Sequence, residues 1–247
     1  MHECMYITSS QKPCKSIPKN RKPDISICLF CPPTRKPSVK RTKEEAEQTR
    51  QALLDAAMTV FHQRGVARAS LDQIACAAGL TRGALYWHFK NKEHLFEALC
   101  ERHLAVMHEE MHHMLENDSP QAWDTLVQTH IGFLQRLAED ETFRQFFAIL
   151  HLKCEETSDM EGITVILRNY RYLWHRQTIQ ALRMGQRHGR LPATLQVEKA
   201  CVLQISAFLG LVTAWLSEPD SFDMRSMAHD MVHASIDMLH SPVLQSA

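Results

Sequence analysis

Apolar residues from position 42 onward recur at spacings of three and four, which is the period of a helix and not of a strand. The first apolar stripe runs from Leu53 to Phe61 and stops before Gly65, after a basic last turn. A shorter stripe of two turns follows Ser70, whose hydroxyl suits a helix N-cap, and stops at Gly79. The pattern therefore predicts an all-α chain that begins with short, sharply bounded helices.

The same spacing predicts seven further helices, separated by residues that favour turns. Turn-forming residues cluster at Asn117–Pro120, and at His188–Pro192 a glycine and a proline follow a basic turn. The predicted helices cover residues 81–89, 91–116, 121–138, 141–156, 162–188, 197–217 and 222–240.

Residues 70–89 combine two short helices with a glycine-containing turn, which is the layout of a helix-turn-helix. In this motif the second helix enters the major groove of DNA. Arg82 can reach guanine or a phosphate, and Gly83, which has no Cβ, lets the backbone approach DNA closely. The layout alone is equally compatible with a helical bundle that carries an incidental basic loop. The residues expected to contact DNA are Ser70, Thr81, Arg82, Gly83, Tyr86, Trp87, His88 and Lys92.

Charge is distributed unevenly along the chain, although the chain has 28 basic and 28 acidic residues in total. Residues 1–40 carry 8 basic and 2 acidic side chains, residues 41–92 carry 8 and 5, and residues 93–247 carry 12 and 21. A basic front half favours contact with an anion such as DNA, while an acidic back half is repelled by it.

The run from Ser70 to Leu95 closely resembles the DNA-binding domain of TetR/AcrR-family repressors, and residues 49–66 resemble that family's first helix. Within the family, Lys40–Ala46, residues 81–89 and Ile149–Glu155 are similar to repressors of multidrug efflux operons. The match is specific over about residues 40–100 and extends further only through the number and length of the helices.

The resemblance implies a three-helix N-terminal DNA-binding domain over residues 41–92 and a larger C-terminal helical domain over residues 93–247 that binds ligand and dimerises. The expected protein is a homodimeric repressor that reads a palindromic operator of double-stranded DNA. We expect it to control a multidrug efflux operon and to be released by a small hydrophobic effector. Regulation of another small-molecule response remains the alternative within the family.

Polar residues on apolar faces of the larger domain are candidates for the ligand pocket, which needs a few convergent polar groups. By resemblance, five of the candidates fall where drug-binding repressors of the family line their pocket, namely Phe147, His151, Trp174, Thr178 and Phe208. Gln128 and Ile131 complete the expected set of ligand-binding residues, and His130, which lies between them, is a further polar candidate on an apolar face. Each of the seven is also compatible with a role in core packing alone.

The last two predicted helices have broad apolar faces, which suit a four-helix interface between two subunits. The residues on these faces are Val202, Ile205, Leu209, Val212, Leu216, Met227, Met231, Ile236 and Leu239. An internal core would explain the same faces, but the need for paired heads favours the interface.

The first forty residues are rich in proline, carry no helical or strand period, and are interpreted as a basic disordered tail. Cys4, Cys14, Cys28 and Cys31 are formally four thiolate ligands, but the spacing of the first two does not suit a zinc clip. The shift in composition before Lys40 also fits a misplaced translation start. We place no function in this segment.

Two further sites compete with this interpretation. His108-Glu109-Glu110-Met111-His112 matches the HExxH pattern of zinc hydrolases, but no third ligand follows at the expected spacing. A redox or metal sensor based on Cys28 and Cys31, or on Cys154, is the other alternative.

Other classes of protein are disfavoured by what the sequence lacks. No glycine-rich nucleotide loop and no GxSxG serine-hydrolase elbow occurs. Residues 205–216, the longest nearly apolar stretch, fall short of the ~20 residues of a membrane span. We therefore expect a cytoplasmic protein that is not an enzyme, with no cofactor, no bound metal and no membrane contact.

Overall fold

The computed structural model describes residues 42–154 and 160–246. Within these ranges the chain forms nine α-helices, two short 3-10 turns at Met238–His240 and Pro242–Leu244, and no strand beyond one isolated bridge between Leu195 and Gln245. The helices are α1 (Lys43–Arg64), α2 (Leu71–Ala77), α3 (Arg82–His88), α4 (Lys92–Asn117), α5 (Pro120–Glu139), α6 (Glu141–Leu152), α7 (Glu161–Arg187), α8 (Val197–Ser217) and α9 (Met224–Asp237). The all-α prediction is confirmed.

Side-chain caps fix where the first helices begin. Thr42 Oγ1 accepts from the Glu45 amide at 3.2 Å, and the Glu45 carboxylate accepts from the Thr42 amide at 3.0 Å. Ser70 and Gln73 form the same reciprocal capping box at the start of α2. Such caps satisfy amides that the first helical turn leaves without partners.

Helices α1–α3, which we call the head, pack around large side chains that are fully buried. Phe61 of α1, Ile74 of α2 and Leu85 of α3 each expose no surface. The ring of Phe61 meets the ring of Phe96 of α4 edge to face, with centroids 6.0 Å apart. The head and α4 therefore share one hydrophobic core, which packs the head against α4.

The remaining helices form the larger part of the structure. Helix α5 packs against α9, α4 and α7, while α7 packs against α4 and α8. Helix α6 lies between α1 and α8, so it contacts both the head and the C-terminal helices. This arrangement leaves space among α4–α8, which is described below.

Helix α8 corrects the expectation that no apolar segment approaches the length of a membrane span. The helix has 21 residues, and its most apolar window has a mean hydropathy of 1.8, so by length and composition alone it is able to cross a membrane. Core helices of water-soluble proteins can meet the same criterion. Only 28% of that window is buried, so much of its apolar surface is uncovered in a single chain.

Some sequence predictions fall on residues that the structure does not describe. The four N-terminal cysteines and the proposed tail lie in the range 1–41, and the expected end of the sixth helix lies in the range 155–159.

Candidate DNA-binding head and ligand cavity

The geometry of α2, α3 and the turn between them is that of a helix-turn-helix. The turn closes where the Leu80 amide donates to the Ala75 carbonyl at 2.9 Å. Gly79 has φ +67°, a left-handed backbone conformation that glycine adopts without steric cost. Thr81 then caps α3 by accepting from the Ala84 amide at 3.2 Å. These contacts set the direction of α3 relative to α2.

Helix α3 presents a large exposed surface. Tyr86 exposes 43% of its surface and Trp87 exposes 71%, which is unusual for aromatic side chains of a folded monomer. Arg82 donates to the Asp72 carboxylate of α2 at 3.1 Å and to the Tyr86 hydroxyl at 3.3 Å. The hydrogen bond to Tyr86, followed by the charge of Asp72, raises the pKa of the Arg82 guanidinium. The permanent positive charge is thus oriented at the exposed face of α3.

The small residues predicted to contact DNA, which are Ser70, Thr81 and Gly83, are also exposed. Ser70 and Thr81 use their hydroxyl oxygens as caps, which leaves each O–H able to donate to an outside acceptor. At Gly83 an added Cβ would meet only Thr81 Oγ1, at 3.9 Å. Packing within the described residues therefore does not require glycine here, which is consistent with close approach of an outside partner.

His88 and Lys92, by contrast, are less exposed than the other residues predicted to contact DNA. His88 is half-buried, and its ring lies between those of Trp87, at 4.6 Å, and Phe89, at 6.2 Å. Lys92 Nζ donates to the carbonyls of Val66 and Ala67 at 3.0 Å and of Ala69 at 3.3 Å. The prediction that Lys92 binds phosphate is corrected, because its ammonium is occupied by the connecting loop, which is residues 65–70 between α1 and α2.

The connecting loop is also held from its other side. The Val66 amide donates to the carbonyl of Lys153, directly after α6, at 3.0 Å. The loop is thus bonded to the first residue of α4 and to the C-terminal end of α6. This is the point at which the head is joined to the larger part of the structure by polar contacts as well as by packing.

Two adjoining cavities lie within the larger part. The larger, of about 640 Å³, is walled by α4–α8, and the smaller, of about 240 Å³, by α4, α5 and α7–α9 with the 3-10 turn that follows α9. Their walls are mostly apolar, and they share Met111, His130, Trp174, Gln177 and Phe208. Cavities of several hundred Å³ with apolar walls and a few polar groups are typical of small-molecule sites.

The structure brings five of the seven predicted ligand-binding residues into these walls. Phe147 and His151 line the larger cavity, Thr178 lines the smaller, and Trp174 and Phe208 line both. The prediction is corrected for Gln128 and Ile131, which lie outside both walls. Gln128 sits on the solvent face of α5, and Ile131 is buried in the core.

Sequence reasoning missed several wall residues. His108 and Gln177 bring polar atoms to the cavities, and Phe133 with Phe143 completes an aromatic cluster around Phe147. His130, a polar candidate from the sequence, lines both cavities. Spacing alone did not show that His130 and not Gln128 faces them.

Burial determines the charge of the cavity histidines. It lowers the pKa of His108, His130 and His151, because an imidazolium loses hydration in an apolar environment. His151 also lies 3.3 Å from the Thr213 hydroxyl, through Nδ1. The three rings are therefore neutral near pH 7 and offer hydrogen-bonding groups without charge.

The competing sites lose support from the geometry. His112, the second histidine of the HExxH pattern, pairs outward with Glu116 at 3.3 Å, while Glu109 pairs with His113. No cluster of metal-ligating side chains occurs among residues 42–154 and 160–246. Burial raises the pKa of the Cys154 thiol to about 12, so the reactive thiolate of a redox sensor is suppressed.

A helix-turn-helix head joined to a helical part with an apolar cavity defines a ligand-responsive class of DNA-binding protein. The family pattern described as bacterial regulatory proteins of the tetR family matches residues 53–99, and that of the C-terminal region of MAATS-type transcriptional repressors matches residues 122–241. The chain belongs to the TetR family of transcriptional regulators, with a MAATS-type C-terminal region. This family is not enzymatic, and its members bind DNA.

Individual relatives agree with this assignment. The chain is 39% identical to the HTH-type transcriptional regulator TtgR of Pseudomonas putida over 212 residues, which cover 84% of this chain and 99% of that protein. Among solved structures, NalD, the secondary repressor of the MexAB-OprM multidrug efflux pump in Pseudomonas aeruginosa, is similar with a TM-score of 0.69 and 29% identity, covering 78% of this chain and 96% of its own.

A third similar structure contains a ligand. It is the triclosan complex of SmeT, the repressor of the Stenotrophomonas maltophilia multidrug efflux pump SmeDEF, with a TM-score of 0.65, 30% identity and coverage of 76% of this chain and 91% of that one. The protein is therefore a TetR-family transcriptional repressor related to repressors of efflux pumps.

The new role of Lys92 can be tested by comparing two lysines that lie two residues apart. Replacing Lys92 with Met removes three charge-assisted hydrogen bonds from the connecting loop, so we expect the free energy of unfolding to fall by about 2 kcal/mol. Lys90→Met is the matched control, because Lys90 is exposed, and we expect it to change stability by less than about 0.5 kcal/mol. Urea unfolding monitored by circular dichroism measures both.

The contrary result would be equally clear. If Lys92→Met left stability unchanged but reduced the salt dependence of operator binding, Lys92 would be a phosphate contact after all.

Proposed function

We propose that this repressor binds a palindromic operator as a homodimer, controls a multidrug efflux operon in the cytoplasm, and releases DNA when a small hydrophobic compound fills its cavity. The exposed α3 surface on a head bonded to the cavity helices is the observation that carries this proposal. The roles of NalD and SmeT as repressors of multidrug efflux pumps support the choice of regulated genes.

The proposed DNA contacts follow from the exposed face of α3. The Arg82 guanidinium suits the bidentate acceptors of guanine or a phosphate oxygen, and its ion pair with Asp72 is exposed enough to exchange for DNA. Tyr86 and Trp87 offer flat apolar surface with a polar edge beside it. Ser70, Thr81 and Gly83 position the backbone against the sugar-phosphate chain, and the exposed Lys90 replaces Lys92 as a proposed phosphate contact.

The proposed effector follows from the larger cavity. Rings of Phe133, Phe143, Phe147 and Phe208 lie within 5.3 Å of a neighbouring ring in that set, so the wall is an aromatic cluster. Such walls favour aromatic and alicyclic ligands through edge-to-face contacts and burial of apolar surface. Neutral histidines and Gln177 add hydrogen-bonding capacity, and Glu110, Arg136 and Arg171 bring charged groups to the same wall.

The coupling between effector and DNA is proposed to run through the connecting loop. Phe143, Phe147 and His151 all lie on α6, whose following residue Lys153 bonds to the Val66 amide. A ligand that displaces α6 therefore moves the loop and, through Lys92, the start of α4. In a dimer this changes the separation of the two heads, which must match major grooves spaced about 34–36 Å apart.

The proposed dimer interface is the uncovered face of α8 together with α9. Four exposed positions of α8 are spaced four residues apart, so they lie on one face, namely Val202, Ser206, Gly210 and Ala214. The last three of these residues are small. Small residues let two helices approach closely when their i, i+4 ridges interdigitate. A second copy of this chain covers the face and supplies the second head, which a palindromic operator requires.

We expect Arg82→Ala to weaken operator binding by about 5- to 150-fold, because each good contact of this kind contributes about 1–3 kcal/mol. Arg190→Ala is the matched control, since Arg190 is also exposed and also forms one ion pair, with Asp124 at 2.6 Å, but lies in the loop after α7. Gel shifts on the DNA that flanks the gene measure both variants. Equal affinities for the two variants would contradict the assignment of α3 as the recognition helix.

The dimer interface is tested with two valines of similar exposure. Val202 exposes 61% of its surface on α8, and Val106 exposes 66% on α4. Arginine at either position is compatible with folding of the monomer, because neither side chain is buried. We expect Val202→Arg to convert the dimer to a monomer in sedimentation analysis and Val106→Arg to leave it dimeric. A dimeric Val202→Arg variant would place the interface elsewhere.

A further inference from the structure

His130 of α5 lines both cavities. Its Nδ1 lies 2.8 Å from the carbonyl oxygen of Leu126, one helical turn earlier. A carbonyl oxygen can only accept a hydrogen bond, so Nδ1 carries the proton. A neutral imidazole has a single ring proton, and Nε2 is therefore an unprotonated acceptor.

The surroundings of His130 keep the ring in that state. Burial lowers its pKa, and the ring of Phe208 meets it edge to face with centroids 5.9 Å apart. Among residues 42–154 and 160–246, Nε2 of His130 has no hydrogen-bond partner. Since Nδ1 is turned toward the backbone of α5, Nε2 lies on the part of the ring that forms the cavity wall.

His108 of α4 repeats the arrangement in the larger cavity. The amide nitrogen of Gln177 donates to the His108 carbonyl at 3.4 Å, which orients the amide oxygen of Gln177 toward His108 Nδ1 at 3.3 Å. His108 Nδ1 therefore donates, and its Nε2 is again an acceptor. This Nε2 has no hydrogen-bond partner in the part of the chain that the structure describes, but it is fully buried, so a ligand in the cavity contacts it only after the ring shifts. The His108 ring stacks on Tyr170, which fixes its plane.

Acceptors without partners in an apolar wall discriminate among ligands. A ligand that brings an O–H or N–H group satisfies such an acceptor, whereas a ligand of the same shape with only an ether oxygen or a methyl group leaves it unpaired. A ligand carboxylate facing the same nitrogen is disfavoured further, because its oxygens offer no proton.

We propose that His130 Nε2 selects effectors that are ring compounds bearing at least one hydrogen-bond donor. This inference rests on the proposed function, since it assigns the chemistry of the effector that the cavity takes. It makes His130 a specificity-determining residue for ligand binding, distinct from the aromatic residues that supply affinity without regard to polar groups.

The test compares two probes that differ by one donor, para-phenylphenol and its methyl ether, para-methoxybiphenyl. Isothermal titration calorimetry with the full-length dimer gives the dissociation constant of each. We expect the phenol to bind about three- to tenfold more tightly than the ether to the wild-type protein, the range that one net hydrogen bond provides. Equal affinities, or no binding of either probe, would overturn the proposal.

Variants assign the preference to His130. His130→Phe keeps an aromatic ring but no acceptor, so we expect the two probes to bind it equally, while His130→Gln restores an acceptor near the position of Nε2 and part of the preference. His103→Phe is the matched control, because His103 is a half-buried histidine stacked on Phe146, outside both cavity walls. A preference that survives in His130→Phe would exclude the assigned role.

Operator binding separates this inference from the proposed function. If the wild-type protein binds its operator and is released by both probes equally, only the role of His130 fails. If the protein does not bind flanking DNA at all, the proposed function fails first. Should His130→Phe not fold, as judged by circular dichroism, the comparison of the two probes on the wild-type protein and on His130→Gln still decides the question.

Discussion

The connecting loop between α1 and α2 is held in place by hydrogen bonds from two sides. Its amide at Val66 is bonded to the end of α6, and three of its carbonyls are bonded to the single ammonium of Lys92 at the start of α4. The backbone amides and carbonyls of an irregular loop cannot all pair with one another, so they need hydrogen-bond partners from other segments. These partners join the head to α6, which lines the larger cavity, and to the start of α4.

This constraint gives the cavity a route to the head. Packed helices respond to a ligand by discrete shifts and not by continuous deformation, since interiors are close-packed. Helix α6 has cavity residues along one face and a bond to the connecting loop at its end, so the proposed response to a ligand is a shift of α6 that displaces this loop. The buried core includes residues of α1, α2, α3 and α4, so the head packs as one unit.

The head was largely predictable from sequence, and the cavity only in part. Ser70, Gly79 and Thr81 act locally, within a few residues of where their effects appear, so the bounds of α2 and α3 followed from them. Lys92 was misassigned because the carbonyls it binds lie 23–26 residues earlier in the chain, a relation that no spacing rule contains. The aromatic walls at Phe147 and Phe208 were found by resemblance, whereas Gln128 required knowledge of which face of α5 is turned outward.

If filling the cavity and binding the operator oppose each other, para-phenylphenol binds differently to the free protein and to the operator-bound protein, and titrating it into both is the most direct test. Coupling between two sites is reciprocal, so the ligand must lose the same factor of affinity on the operator complex as the operator loses on the ligand complex. We expect para-phenylphenol to bind the operator complex at least about tenfold more weakly than the free dimer, a coupling within the usual range. Equal affinity of para-phenylphenol for both forms would contradict the account.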